Sequence, residues 1–417
     1  MTITTVRGVR DILPEESPTW QLLEESARQI FAAYGYREIR TPLFEKTELF
    51  ARAVGATSDI VEKEMYTFND RGGDSLSLRP EGTASVVRSF IENNLQRALP
   101  WAVYYMGPMF RYERPQKGRF RQFHQMGCEL FGAEGPLADA EMMAMIVRLL
   151  RRLQIDDALT LEINSLGCAS CRGPYRERLF AFLQERQAQL CGNCIQRLQR
   201  NPLRILDCKG EGCRGVARQA PAMQESLCPP CADHFCGLQE LLNGMELPYM
   251  VNPLLVRGLD YYTRTAFEVT TTALGAQNAV AAGGRYDGLV AEMGGQAVPA
   301  IGFAMGMERL ALLLEGKGLR NGSRSGCYLL AVGAEAGRQA LFLAEQWRSA
   351  GVAVQMDWLG GSLKAQLRRA DRALAAQVLI LGEQELAEQS VLFKDLRDGG
   401  QRLIHWGQVV ESLRALS

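Results

Sequence analysis

Positive charge is concentrated in one short segment, FRYERPQKGRFRQFHQMGCELFG at residues 110–132. Its five cations within eleven residues are Arg111, Arg114, Lys117, Arg119 and Arg121. Two alternating arms flank the turn RPQKG, and this pattern predicts an antiparallel hairpin with a basic tip. The hairpin is either a solvated surface feature, since charge runs usually decorate surfaces, or part of a binding site.

The arrangement of side chains on this hairpin favours the binding site. Four charged residues occupy odd-numbered positions: Arg111, Glu113, Arg119 and Arg121. Because alternate positions of a strand share a face, we expect these four on one face, subject to the register of the turn. Phe120 and Phe123 are placed where a nucleic-acid base or an adenine ring could stack on them.

A second segment, SLRPEGTASVVRSFIEN at residues 77–93, begins an amphipathic helix. Thr83 is the predicted N-cap of this helix. Arg79 and Glu81, which flank a proline just before it, would serve a substrate-binding site equally well. The segment taken alone leaves both interpretations open.

Glycines and a further arginine stand out in AAGGRYDGLV, residues 281–290, and in the following VPAIGFAMGMERL. Gly283 and Gly284 permit backbone conformations or a close approach that a side chain would block. Arg309 begins an apolar helix, where a cation must be paired or directed toward an anion.

Residues 255–269, LVRGLDYYTRTAFEV, have the β-branched and aromatic composition of a strand but also carry Arg257. In an extended segment Tyr261 and Tyr262 must point to opposite faces, so one of them would face a pocket.

Together these segments predict a pocket for a nucleoside triphosphate that uses arginine to bind phosphate. The sequence contains neither GxxxxGK followed by Ser or Thr nor a strand followed by GxGxxG, so the two common nucleotide-binding loops are not indicated.

Nine of the eleven cysteines lie between Cys168 and Cys236, and His234 lies among the last of them. Eight form four close pairs: Cys168 with Cys171, Cys191 with Cys194, Cys208 with Cys213, and Cys228 with Cys231. Two pairs suffice for one tetrahedral Zn²⁺ site, so one or two structural zinc sites are predicted, with the combination of pairs left open. Reduced, partly buried thiols without metal are the alternative, and disulfides are disfavoured in a long chain without an export segment.

The composition is typical of a globular protein, with 47% apolar and 23% charged residues. Lys plus Arg (47) balance Asp plus Glu (47), which excludes a global attraction for polyanions and leaves nucleic-acid binding to local patches. No run of about 18 apolar residues and no apolar export segment occurs, so we expect a cytoplasmic protein with no membrane association.

At 417 residues the chain predicts two or three domains. We expect a first domain over residues 1–320, with a helical, cysteine-rich insertion at about 167–250. The Gly/Ser/Arg-rich residues 315–326 predict a linker. Strands alternate with helices over residues 326–417, which predicts a small α/β domain.

The motifs resemble those of the class II aminoacyl-tRNA synthetases, and among them the histidyl-tRNA synthetase family. RGVRDILPEE is similar to its opening signature, FRYERPQKGRFRQFHQMGCELFG to motif 2, and VPAIGFAMGMERL to motif 3. RGLDYYTRTAFE and AAGGRYDGL resemble the two histidine-specific motifs. The resemblance covers essentially the whole chain and implies an α+β fold: an antiparallel-sheet catalytic core with flanking helices and a C-terminal α/β anticodon-binding domain.

The resemblance also implies roles for matching residues, in a homodimer that uses L-histidine, ATP with Mg²⁺, and histidine tRNA. Arg111 and Arg309 would hold the α- and γ-phosphates of ATP, with Glu113 near the adenine amino group and Phe123 stacked on the adenine ring. Histidine would be bound by Glu81 and Thr83 at its α-amino group, by Gln125 and Arg257 at its carboxylate, and by Glu129 with Tyr261 and Tyr262 at its imidazole. Arg111 and Arg257 would be the catalytic cations. Arg114 and Gln116 would read the additional 5′ guanosine of the tRNA, and Lys364, Arg368, Arg369 and Arg372 could meet anticodon-stem phosphates or form a solvated helix face.

Two other functions compete with this one. A synthetase-like paralogue that regulates histidine biosynthesis would catalyse no aminoacylation, but such paralogues typically lose the histidine-specific motifs or the C-terminal domain. A zinc-dependent RNA-binding module would leave the pocket residues without a role.

Overall fold

The structure is a computed structural model that describes residues 2–55, 58–157, 159–274, 278–317 and 324–415. The helices are α1 Ser17–Ala33, α2 Thr47–Val54, α3 Thr83–Glu92, α4 Pro136–Arg152, α5 Ala169–Glu185, α6 Gly192–Arg200, α7 Glu211–Ala217, α8 Pro229–Gly244, α9 Leu289–Glu292, α10 Met307–Gly316, α11 Ala334–Ser349, α12 Leu363–Arg372, α13 Glu383–Ala387 and α14 Val409–Arg414. The strands are β1 Arg37–Glu38, β2 Phe44–Lys46, β3 Thr67–Asn69, β4 Ser75–Leu78, β5 Trp101–Phe110, β6 Gln122–Phe131, β7 Leu159–Ser165, β8 Met250–Val251, β9 Thr263–Thr271, β10 Ala279–Arg285, β11 Ala300–Gly306, β12 Ser325–Ala331, β13 Val354–Met356, β14 Ala375–Leu381, β15 Ser390–Asp395 and β16 Gln401–His405. Across these residues no helix has the length and apolar character needed to cross a membrane.

The chain divides into two compact units, Met1–Arg320 and Asn321–Ser417. The first is built on an eight-stranded sheet in the order β1-β5-β6-β11-β10-β9-β7-β8. The six central strands pair antiparallel, and only the short edge strands β1 and β8 pair parallel to their neighbours. The predicted antiparallel α+β core is confirmed.

Each face of this sheet is covered by a separate apolar layer. Helices α1, α4, α8 and α10 pack on one face, where Phe31, Met143 and Leu310 are fully buried. Helices α2, α3 and α9 pack on the other face, around Phe50 and Phe90. The second face also carries the polar cavity described below.

The second unit has a five-stranded sheet in the order β13-β12-β14-β15-β16. The β12 strand pairs parallel with β13 and β14, whereas β14–β15 and β15–β16 are antiparallel. Helix α11 buries Trp347 and Leu343 against this sheet. The predicted C-terminal α/β domain is confirmed, while much of the predicted linker, residues 318–323, lies outside the described residues.

Helices α5 to α8 connect β7 to β8 and contain the predicted cysteine-rich insertion. Helices α5, α6 and α7 share their own small apolar core, which includes Tyr175, Leu179 and Leu198. Helix α8 contributes residues to two cores. Cys231 packs in the core of the insertion, whereas Phe235 and Leu242 pack in the main core. This helix therefore joins the insertion to the large sheet.

Two predicted extended segments are shorter in the structure. The strand predicted from residue 255 begins only at Thr263, so the prediction was wrong for the preceding residues. Asn164 Nδ2 donates to the carbonyl oxygen of Leu255 at 2.9 Å and takes the place of a strand partner. The hairpin arms end at Phe110 and resume at Gln122, and the basic residues between them lie in a loop.

Candidate active site

A cavity of about 250 Å³ opens on the face of the large sheet that carries α3. Its floor consists of small residues, because Gly302, Ala304 and Gly306 alternate along β11 and Ala282 pairs with Ala304 from β10. Larger side chains at these positions would fill the cavity above the sheet. The walls come from the start of α3, the loop at residues 111–121, the loop at residues 255–262 and the start of α10.

Glu129 lies fully buried in β6 directly opposite Gly302 of β11. Its carboxylate accepts hydrogen bonds from Thr83 Oγ1 at 2.6 Å and from Tyr286 Oη at 2.5 Å. Burial raises the pKa of Glu129 to about 8, against the opposing effect of these donors. The carboxyl group thus lies behind Thr83 and Tyr286, both of which line the cavity.

Glu81 closes the amino-terminal end of α3. Its two carboxylate oxygens accept from the backbone N–H groups of Thr83 and Ala84, both at 2.8 Å. The sequence prediction that Thr83 caps this helix was wrong, because the cap position is Gly82 and the Thr83 hydroxyl donates to Glu129 instead. Burial raises the pKa of Glu81.

Three arginines form one wall of the cavity. Arg111 Nε donates to the Pro80 carbonyl oxygen at 2.8 Å, and its guanidinium lies 5.3 Å from the ring centroid of Phe123. Arg119 forms an ion pair with Glu113. Arg309 donates to the carbonyl oxygen of Gly118 at 3.4 Å.

The three arginines make this wall electropositive, and their positive charges repel one another. Burial lowers the pKa of Arg309, and the neighbouring charges of Arg119 and Arg111 lower it further. Burial likewise lowers the pKa of Arg111. Since an anion would relieve both effects, this wall is suited to bind phosphate.

Two buried polar atoms in the cavity wall lack a hydrogen-bond partner among the described residues, Gln125 Oε1 and Arg257 Nε. Arg257 Nη1 forms an ion pair with Glu268 at 3.0 Å, and its guanidinium lies 5.6 Å from the ring centroid of Tyr262. Buried polar groups are nearly always paired, so these two atoms indicate a polar ligand.

Both adjacent tyrosines line the cavity, whereas strand alternation predicted one. Tyr261 and Tyr262 lie in a loop, where alternation does not apply, and their ring centroids are 4.7 Å apart. Gly284 makes room for the second ring, because a Cβ there would lie 2.9 Å from Tyr262 Cδ1. Burial raises the pKa of both hydroxyls.

Two predicted residues at the tip of the loop lie outside the lining of this cavity. Arg114 and Gln116 are exposed and do not line it. A partner that reaches the tip would therefore approach from solvent.

Sequence reasoning missed several residues of the site. Tyr286 and Glu308 line the cavity, and Glu308 accepts from the His124 backbone N–H at 2.9 Å. The cavity is also lined by Arg119, which the sequence placed on the charged face of the hairpin without a specific role. Tyr286 and Glu308 lie in the motifs already quoted, directly beside Arg285 and Arg309. The sequence therefore contained the information needed to name them as candidates. Arg285 itself is fully buried, forms an ion pair with Asp139 and is part of the protein core.

The basic helix of the second unit presents three of its four predicted cations to solvent. Lys364, Arg368 and Arg372 are exposed at four-residue spacing along α12. Arg369 instead pairs with the buried Asp357 through bonds of 2.6 and 2.9 Å.

Eight cysteines form two groups of four in the insertion. Cluster A consists of Cys168, Cys171, Cys228 and Cys231, and cluster B of Cys191, Cys194, Cys208 and Cys213. The sequence left this pairing open, and the fold joins the first pair to the fourth and the second to the third. His234 is outside both clusters and lies 2.7 Å from Asp139 Oδ2, and Cys236 is exposed.

An antiparallel sheet with an arginine-walled cavity on one face, followed by a small α/β domain, is the architecture of the class II aminoacyl-tRNA synthetases inferred from the motifs. The family model for histidyl-tRNA synthetase matches residues 8–310, and that for an anticodon binding domain matches residues 326–416. The chain therefore belongs to the histidyl-tRNA synthetase family.

Individual members of this family are similar to this chain over almost its whole length. The histidine–tRNA ligase of Trichlorobacter lovleyi is 53% identical over 408 residues, which are 97% of this chain and 96% of that protein. The histidine–tRNA ligase of Syntrophotalea carbinolica is 50% identical over 405 residues, with the same two coverages of 97% and 96%. The crystal structure of apo S. aureus histidyl-tRNA synthetase is similar with a TM-score of 0.82 at 35% identity and covers 99% of this chain and 100% of that chain.

Gly302 is required by the buried Glu129, and this requirement is testable. A Cβ at position 302 would lie 1.6 Å from Glu129 Oε2, so Gly302→Ala must displace the carboxylate. We expect the free energy of unfolding to fall by about 1–3 kcal/mol, the usual cost of overpacking. Urea denaturation followed by circular dichroism measures this change.

Gly316→Ala is the matched control, because a Cβ there has no neighbour within 4 Å. Its free energy of unfolding should stay within about 0.5 kcal/mol of the parent. Equal stability of the two variants would contradict the steric role of Gly302.

Proposed function

We propose that this chain attaches L-histidine to histidine tRNA at the expense of ATP, through a histidyl-adenylate and with release of AMP and pyrophosphate. The observation that carries the proposal is the pair of unpartnered buried atoms, Gln125 Oε1 and Arg257 Nε, in one cavity with the arginine wall. An amino acid and a nucleotide phosphate would meet where these groups converge.

Histidine would occupy the end of the cavity near α3. The acidic Glu81 and the hydroxyl of Thr83 suit its cationic α-amino group, and Gln125 and Arg257 suit its carboxylate. Glu129, reached through Thr83 and Tyr286, and the hydroxyls of Tyr261 and Tyr262 surround the space left for the imidazole.

The same groups account for selectivity. Imidazole offers one hydrogen-bond donor and one acceptor, and a carboxyl group with phenols can satisfy both. An amino acid without these atoms would leave buried polar groups of the pocket without a partner, a rejection that can reach roughly 10⁴ to 10⁵. No editing domain is needed for such a margin.

ATP would occupy the end near α10 and enter as its Mg²⁺ complex. We assign the α-phosphate to Arg111, the γ-phosphate to Arg309, and the adenine to Glu113 and Phe123. Arg119 pairs with Glu113 and Arg111 lies over Phe123, so ATP bound in this way would replace both contacts.

The first chemical step is an in-line displacement. The histidine carboxylate attacks the α-phosphorus and pyrophosphate leaves, while the negative charge on the phosphoryl oxygens is stabilised by Arg111 and Arg257. Mg²⁺ entering with ATP would supply further positive charge for the pyrophosphate. Because the reacting groups are charged and already reactive, the chain contributes mainly orientation and electrostatic stabilisation.

In the second step the terminal ribose hydroxyl of the tRNA attacks the adenylate carbonyl and AMP leaves. Arg114 and Gln116 at the exposed loop tip would contact the additional 5′ guanosine. The unit at 326–417 would bind the anticodon region, with Lys364, Arg368 and Arg372 on phosphates, since Arg369 is engaged by Asp357. The first 320 residues would form the catalytic domain, acting as a cytoplasmic homodimer.

A histidine-dependent exchange of pyrophosphate into ATP tests the adenylation step directly. We expect exchange with L-histidine and none with the other amino acids. Failure of histidine to support exchange would instead favour a regulatory paralogue that binds histidine without activating it.

Arg257→Ala should lower this exchange at least about 100-fold, because one preorganised charge at the reacting centre is removed. ATP affinity, measured by calorimetry, should change little. Arg178→Ala is the control, since this exposed arginine donates to Glu225 and Ser226 on the insertion surface and does not line the cavity. Near-parental exchange by the Arg257 variant would remove it from catalysis.

Arg114→Ala should separate the two steps. Exchange should be unchanged, whereas kcat/KM for aminoacylation should fall about tenfold, as for the loss of one base contact of about 1–3 kcal/mol. Transcripts with and without the additional 5′ guanosine provide the comparison: the parent should distinguish them and the variant should not. Retained discrimination would exclude Arg114 from reading that nucleotide.

A further inference from the structure

The sulfur atoms of clusters A and B are spaced as the corners of a tetrahedron around a metal ion. All Sγ atoms of a cluster lie within 4.8 Å of one another. Within cluster A, Cys168 Sγ is 3.6 Å from Cys171 Sγ and 3.8 Å from Cys228 Sγ. A tetrahedral ion with metal–sulfur bonds of about 2.3 Å places its ligands about 3.8 Å apart, whereas a disulfide requires about 2.05 Å.

Backbone N–H groups support these sulfur atoms. The Cys228 N–H donates to Cys171 Sγ at 3.1 Å, and the Cys191 N–H donates to Cys213 Sγ at 3.2 Å. Cys168, Cys191 and Cys228 also immediately precede α5, α6 and α8, where the positive end of a helix stabilises a thiolate. Hydrogen bonds of this kind orient metal ligands.

We propose that each chain binds two structural Zn²⁺ ions, one in cluster A and one in cluster B. Four cysteines complete the coordination sphere and leave no open position, which is the arrangement of structural zinc sites. None of the eight lines the catalytic cavity, so the ions take no part in adenylation.

The two ions cross-link the small apolar core of the insertion. Each of the four cysteine pairs contributes one buried member to the small core of the insertion: Cys171, Cys194, Cys213 and Cys231. Cluster A joins the starts of α5 and α8, and cluster B joins α6 to α7. Small cores commonly need such cross-links, and the metal-binding free energy becomes folding free energy.

This arrangement links the metal to the catalytic loop at residues 255–262. From the insertion, Arg204 Nη2 donates to the Gly258 carbonyl oxygen at 2.5 Å, and Asn201 Nδ2 donates to Asp260 Oδ1 at 3.3 Å. Val256 packs against the insertion core. Zinc therefore supports the segment that carries Arg257 without contacting a substrate.

Elemental analysis of the full-length protein, purified without added metal, tests the proposal without any substrate. We expect about two zinc ions per chain, and about one in Cys171→Ser and in Cys194→Ser. Cys236→Ser is the matched control, because this exposed cysteine lies outside both clusters, and it should retain the parental content. Zinc near zero, or iron in its place, would overturn the proposal.

Cobalt substitution of the unmutated protein guards against variants that fail to fold. Tetrahedral Co²⁺–thiolate sites give intense visible and near-ultraviolet absorption, and we expect this absorption to saturate at about two equivalents. Spectra typical of octahedral Co²⁺ would contradict the four-cysteine sites. Since neither measurement uses histidine, ATP or tRNA, failure here leaves the proposed catalytic function untouched, and loss of catalysis leaves the metal sites untouched.

Discussion

A carboxyl group buried in the middle of a sheet has to be surrounded by hydrogen-bond donors, because its isolated charge is strongly disfavoured there. Glu129 meets this condition only if Thr83 of α3 and Tyr286 beyond β10 converge on β6, and only if β11 supplies a residue without a side chain at Gly302. One polar group thus fixes the relative positions of the segments that form the α3 end of the cavity.

The other end of the cavity is governed by repulsion among cations. Arg111, Arg119 and Arg309 are held close together by the hairpin loop and the start of α10, and burial makes their charges costly. Glu113 offsets part of this charge, through Arg119. An anionic ligand, such as the proposed triphosphate, would offset the remaining positive charge.

The insertion and the sheet together support the third wall of the cavity. Within the described part of the chain, residues 255–262 pair with no strand, and they are held by Asn164 of β7 and by Arg204 and Asn201 of the insertion. A segment whose position depends on a small, cysteine-rich core is sensitive to whatever stabilises that core. The position of residues 255–262 and the state of the cysteines are therefore physically connected.

The sequence by itself indicated the α+β fold through the family resemblance of its motifs. It also indicated the α/β character of residues 326–417 and the residue types of the cavity, because periodicity and short motifs are local properties. It did not determine that Tyr261 and Tyr262 both face the cavity, since alternation holds only where a strand partner exists. Nor could it separate Arg369, bound to Asp357, from the exposed Lys364, or join Cys168 to Cys228. These outcomes depend on contacts between residues far apart in the chain, which only the folded backbone brings together.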